Sequence, residues 1–116
     1  MVASMADGFA VSFGDDGDGT TVLTIRGDLD IATAPGLVAT FDELSGSGAP
    51  AIVVDMRQVT FMDSSGLSAL LVAGRRVPPG TRLVLRRPSE QVLRVLTLTG
   101  MLDSFEIEDD GIQQRS

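Results

Sequence analysis

The segment Asp63-Ser64-Ser65-Gly66 is where residue types and spacing offer chemistry. Two adjacent hydroxyls stand between an acid and a glycine, directly before Leu67, Leu70, Leu71 and Gly74, which repeat at helical spacing. The serines therefore fall at a helix start, above the carboxyl end of a strand. Free backbone N–H groups and the positive end of the helix dipole favour an oxyanion or an added phosphate there. Such serines can attack a substrate or accept a group from another protein. The chain has no histidine and no cysteine, so no imidazole is available as base for a Ser-His-Asp nucleophile. The usual zinc sites cannot be built either. No catalytic residue and no metal site are expected, and the serines read as substrates rather than nucleophiles. Taken alone, the same four residues are also an ordinary helix cap, worth about 1 kcal/mol, of the kind with which many helices begin. Gly66, lacking a side chain, would let another protein's backbone or a nucleotide phosphate come close.

The elements around this segment follow from the pattern of apolar residues. Residues 1–8 read as a flexible terminus. Phe9 to Phe13 and Thr20 to Arg26 read as two strands of a hairpin, turned by the Asp and Gly residues between them. Asp16 and Asp18 lie in that turn without the other ligands of an EF-hand loop, so a plain turn is expected. Gly27-Asp28-Leu29-Asp30 ends the second strand, with Thr33 as candidate N-cap and Pro35 just inside a helix that carries Leu37, Val38, Phe41 and Leu44 on one face. Ala51 to Asp55 is a continuous apolar run closed by an acid, as in a central strand buried on both faces. Arg57 to Met62 reads as the connection to the serine-bearing helix, which ends on Arg75-Arg76 before Pro78-Pro79-Gly80. Arg82 to Arg86 is a further strand. Ser89 caps a third helix with Val92, Leu93, Leu96 and Leu98 as candidate core, Gly100 stops it, and Phe105-Glu106-Ile107 is a short last strand. A hairpin followed by alternating helix and strand predicts one α/β domain over residues 9–107 with a mostly parallel sheet. Residues 108–116 read as a polar tail.

Composition narrows the classes. The chain's 116 residues make one ordinary domain. No apolar run approaches the ~20 residues that span a bilayer, so membrane insertion is not expected. Met1 to Gly8 lacks a basic region followed by an apolar stretch, and with no cysteine the expected location is the cytoplasm. A net charge of −7 lacks the electrostatic footprint of nucleic-acid binding. It serves solubility or suits a partner with a basic docking face.

Val53-Val54-Asp55-Met56, followed by Val59-Thr60-Phe61-Met62-Asp63-Ser64-Ser65-Gly66-Leu67, resembles the signature of the STAS domain, the sulfate transporter and anti-sigma factor antagonist family. Gly27-Asp28-Leu29-Asp30 with Thr33-Ala34 is similar to that family's earlier motif, with Asp28 where Glu is common, and Leu98-Thr99-Gly100-Met101-Leu102 is similar to its third-helix ending. The resemblance implies a mixed, mostly parallel sheet of four to five strands with an N-terminal β-hairpin and helices packed mainly on one face. In the bacterial antagonist branch, the serine after the motif Asp is phosphorylated by a partner kinase of the GHKL ATPase type, which is also the anti-sigma factor. The unphosphorylated form binds that kinase, phosphorylation abolishes binding, and a serine phosphatase resets the switch. Carried onto this sequence, Ser64 is the phosphoacceptor, with Ser65 as fallback. Asp28, Asp30, Met62, Asp63, Ser65 and Gly66 are candidate partner contacts. No cofactor is expected in this chain, because ATP and Mg belong to the kinase. The alternative reading is a non-switching STAS subunit of a transporter or regulatory scaffold complex, which would have no need of the hydroxyl. Many family members end in another amphipathic helix, for which residues 108–116 are too short and polar.

Overall fold

The computed structural model describes residues 2–6, 8–44, 46, 48–102 and 105–108. In chain order the elements are β1 (Val2–Ala6), β2 (Phe9–Asp15), β3 (Thr21–Leu29), α1 (Ala34–Leu44), β4 (Ala51–Met62), α2 (Ser64–Arg76), β5 (Arg82–Arg86), α3 (Glu90–Leu98) and β6 (Glu106–Glu108). The β2–β3 turn is built by its own acids: Asp15 and Asp18 accept from the backbone N–H groups of Gly17 (2.6 Å) and Thr20 (2.9 Å). A side-chain hydrogen bond between Asp16 and Asp18 holds the Asp18 carboxyl down at about 2 and pushes that of Asp16 upward. The carboxylates are thus committed to shaping the turn.

The strands lie in the sheet in the order β1-β2-β3-β4-β5-β6. The β1·β2 and β2·β3 pairs are antiparallel, whereas β3·β4, β4·β5 and β5·β6 are parallel. Strands β2–β6 make the mixed, mostly parallel sheet expected from the sequence. The sixth strand is a correction: Val2–Ala6, read as part of a loose terminus, pairs with β2, placing Met5 opposite Ala10 and Ala6 opposite Phe9. Gly8, directly before β2, packs onto β3 at Gly27. That residue sits at φ +97°, and a Cβ there would fall 1.8 Å from the carbonyl oxygen of Gly8. The tail beyond Glu108 lies outside the described residues.

Each parallel crossover moves one strand further in the same direction, and right-handed connections then put α1, α2 and α3 on one face. The core lies between that face and the helices. Val11, Leu23, Ile25, Ile52, Val54, Met56 and Leu85 from the sheet meet Leu37, Phe41, Leu70, Ala73, Val92 and Leu96 from the helices. Leu98, a candidate for that core, is 78% exposed. Helix α3 buries Val92 and Leu96, one turn apart on one face, and a residue two positions past Leu96 points away from it.

Strand β4 differs most from the sequence reading, since the supposed connection Arg57–Met62 continues the strand. Opposite β3 the register shifts twice, between the pairs Thr24↔Asp55 and Arg26↔Gln58 and between Gly27↔Val59 and Asp28↔Phe61. Each shift inserts one extra residue in β4, a β-bulge. Inward positions therefore recur every third residue, Met56, Val59 and Met62, and the pairs Arg57/Gln58 and Thr60/Phe61 face out. The bulges carry β4 up to the start of α2 while keeping Met62 in the core. Among the described residues, no helix is long and apolar enough to cross a membrane.

Candidate functional site

Met62, the last residue of β4, pairs with Leu29, the last of β3, and the Asp63 N–H donates to the Leu29 carbonyl (3.4 Å). Asp63 is extended (φ −109°, ψ −170°) and is the N-cap of α2. Its Oδ1 accepts from the N–H groups of Ser65 (2.9 Å) and Gly66 (3.1 Å), and its carbonyl accepts from Leu67 (3.0 Å). Two otherwise orphaned helix donors are satisfied by one carboxylate, which anchors the serine pair. Asp63→Ala is expected to cost about 1–2 kcal/mol in denaturant unfolding, with Asp63→Asn retaining part of the cap because an amide oxygen still accepts.

Ser64 is exposed, and its hydroxyl makes no hydrogen bond to any described residue, whereas Ser65 is half-buried. Gly66 is buried, and its missing side chain serves an approach within the chain. A Cβ there would lie 2.4 Å from the Leu29 carbonyl oxygen and 2.8 Å from Met62 Cγ. Met62, a candidate contact in the sequence, is also buried, at 1% exposure. The second bulge turns Phe61 outward in its place, and Phe61 is 41% exposed.

The two acids at the end of β3 are held differently. Asp28 Oδ1 accepts from the Thr60 hydroxyl (2.6 Å), and the Asp28 carbonyl accepts from the Thr33 hydroxyl (2.8 Å). Asp30, and not Thr33, caps the turn entering α1. Its Oδ1 accepts from the N–H groups of Ala32 (3.0 Å) and Thr33 (3.2 Å), and its carbonyl accepts from Ala34 (2.8 Å). The Thr33 hydroxyl in turn accepts from the Asp30 N–H (2.9 Å), a reciprocal capping box. Through Leu29, which joins this segment to Asp63, the structure brings Asp28, Asp30, Asp63 and Ser64 to one rim. Sequence reasoning missed Ile31, 77% exposed in the Asp30 turn, and the outward role of Phe61. A large apolar residue directly after the capping acid Asp30, before the helical apolar spacing begins at Leu37, was the available signal for Ile31.

The rim offers one hydroxyl unbonded among the described residues, two capping carboxylates, the Asp28 carboxylate held by Thr60, and two apolar side chains. Among the described residues, no group of three or more acids is placed to hold a metal ion. Such a rim suits recognition by a protein surface and acceptance of a group on Ser64. An α/β sheet with its helices on one face and a capped Asp-Ser at the second helix start defines a known class. The chain matches the STAS domain model over residues 15–111 and belongs to that family. It is 30% identical over 95 residues to the anti-sigma-B factor antagonist of Bacillus subtilis, covering 78% of this chain and 86% of that protein. It is 26% identical over 104 residues to the anti-sigma-F factor antagonist RsfB of Mycobacterium tuberculosis, covering 90% and 84%. The fold is similar to the crystal structure of an anti-sigma factor antagonist from Mycobacterium paratuberculosis, with a TM-score of 0.77, 27% identity and coverage of 93% and 92%.

Proposed function

We propose that this protein is an anti-sigma factor antagonist switched by phosphorylation of Ser64. Unphosphorylated, it sequesters an anti-sigma factor kinase of the GHKL type in the cytoplasm, and phosphorylated, it lets that kinase go until a serine phosphatase resets it. The chain acts as a binding protein rather than an enzyme, and ATP and Mg belong to the kinase. The observation that carries this reading is the state of Ser64. Its hydroxyl is exposed and unbonded, while Asp63 is committed to capping, Ser65 is half-buried and Gly66 is buried. Relatives named as antagonists of anti-sigma factors support the role.

A phosphate on Ser64 adds about −1.5 to −2 charges at neutral pH, and the start of α2 tolerates them. At an interface the same group must be desolvated beside Asp28, Asp30 and Asp63, which opposes binding without refolding the domain. The test is to incubate the protein with ATP and GHKL-type kinases from its own genome and to locate phosphate by mass spectrometry. Phosphate is expected on Ser64, absent from Ser64→Ala and retained in Ser65→Ala. A kinase that binds the protein tightly yet modifies another residue would overturn the assignment.

A further inference from the structure

We infer that a groove on the helix-free face of the sheet is a second docking point for the same partner and receives one of its carboxylate side chains on Arg26. This rests on the antagonist reading and extends the interface beyond the Ser64 rim. The groove encloses about 550 Å³, and Gly8, Ala10 and Gly27 line it together with Arg26, Gln58 and Thr60. Its bare backbone follows from the close packing of Gly8 on Gly27, where a side chain at residue 27 would collide with the Gly8 carbonyl. The first β4 bulge sets Gln58 opposite Arg26 on the outward face.

Charge selects the occupant. The other outward arginines of the sheet are matched: Arg82 to Glu106 (2.6 Å), Arg86 to Glu108 (2.9 Å) and Arg57 to Asp55 (3.4 Å). Arg26 is exposed and has no acidic partner among the described residues. Asp28, two residues along the same strand, turns Oδ1 to the Thr60 hydroxyl instead. A chain of net charge −7 thus keeps one unmatched guanidinium beside a groove, with the Gln58 side chain as a neighbouring donor. Guanidinium binds carboxylate through two parallel hydrogen bonds, which makes an aspartate or glutamate side chain the fitting occupant. The groove is continuous with the rim, because Thr60 lines the one and holds Asp28 on the other.

The test needs no kinase, so its outcome is separate from that of the phosphorylation assay. The 15N-labelled protein is titrated with a blocked tetrapeptide containing two glutamates, and with its glutamine counterpart. Shifts confined to Gly8, Ala10, Gly27, Gln58 and the Arg26 Nε–H are expected with the acidic peptide, at least about 3-fold weaker with the amide version or in Arg26→Gln. The same spectra show whether the variant is folded. Absent shifts, shifts centred elsewhere, or equal responses to both peptides would overturn the inference. Once a kinase is identified through Ser64, Arg26→Gln is expected to weaken its binding about 3- to 10-fold, and an unchanged Kd would likewise refute it.

Discussion

Replacing Gly66 by alanine is expected to destabilise the domain by about 2–3 kcal/mol and to lower its Tm by roughly 10 °C. The sign is the informative part. Inside an exposed helix, glycine to alanine stabilises by about 1 kcal/mol, because alanine has less chain entropy to lose. At Gly66 the added methyl meets a backbone carbonyl, that of Leu29, at 2.4 Å, and a backbone fixed by the β3–β4 pairing cannot step aside. Gly74, on the same helix, is the matched control. There the nearest atom is Leu83 Cδ2 at 3.2 Å, the far end of a flexible side chain. Gly74→Ala is therefore expected to be neutral or stabilising. In thermal and denaturant unfolding Gly66→Ala should lose stability while Gly74→Ala holds or gains it, and a stabilised Gly66→Ala would show that α2 does not lean on the end of β3.

Phosphorylation of Ser64 is expected to weaken binding of the anti-sigma factor by about 100-fold, equivalent to about 2.7 kcal/mol. Desolvating a charge without a counter-ion costs several kcal/mol, and the three acids already on this rim add to that cost when a partner covers it. Ser64→Ala should bind as tightly as the unmodified protein and resist release by ATP. Ser64→Asp, bearing less charge than phosphate, should fall between them. Calorimetry on the three forms gives the affinities, and 15N spectra should show changes limited to the start of α2 and the neighbouring β3 end. Shifts spread through the core, or a phosphorylated form that binds with unchanged Kd, would contradict a local desolvation cost.

Much of this site is legible in the sequence because its signals are local. Asp63 before two serines and a helical run of leucines marks an N-cap, and the cap lies there; Ser89 caps α3 by the same logic, accepting from the Val92 N–H. What escaped depends on partners distant along the chain. Two bulges replace the alternation of β4 with a period of three, so that Met56, Val59 and Met62 gave no strand signal, and Met62, a candidate contact, lies buried while Phe61 faces out. Asp30 and Thr33 are both plausible caps by residue type, and only the reciprocal hydrogen bonds settle which one opens the turn. Gly66 looked like room for a partner, and the space proves to be filled by the carbonyl of Leu29. The run Val2-Ala3-Ser4-Met5-Ala6 has no strong periodicity, and its strand depends on the waiting edge of β2.

The order β1 to β6 across the sheet never reverses. In doubly wound α/β proteins, ligands settle in the crevice that opens where neighbouring connections leave for opposite faces, at the carboxyl ends of the strands. All the crossovers here leave for the same face, so the strand ends that carry Asp28, Asp30 and Ser64 form no such crevice. What stands there instead is a set of side chains: a hydroxyl, three carboxylates, an isoleucine and a phenylalanine. On the proposed reading, the pocket that receives the serine is therefore furnished by the partner rather than by this end of the sheet.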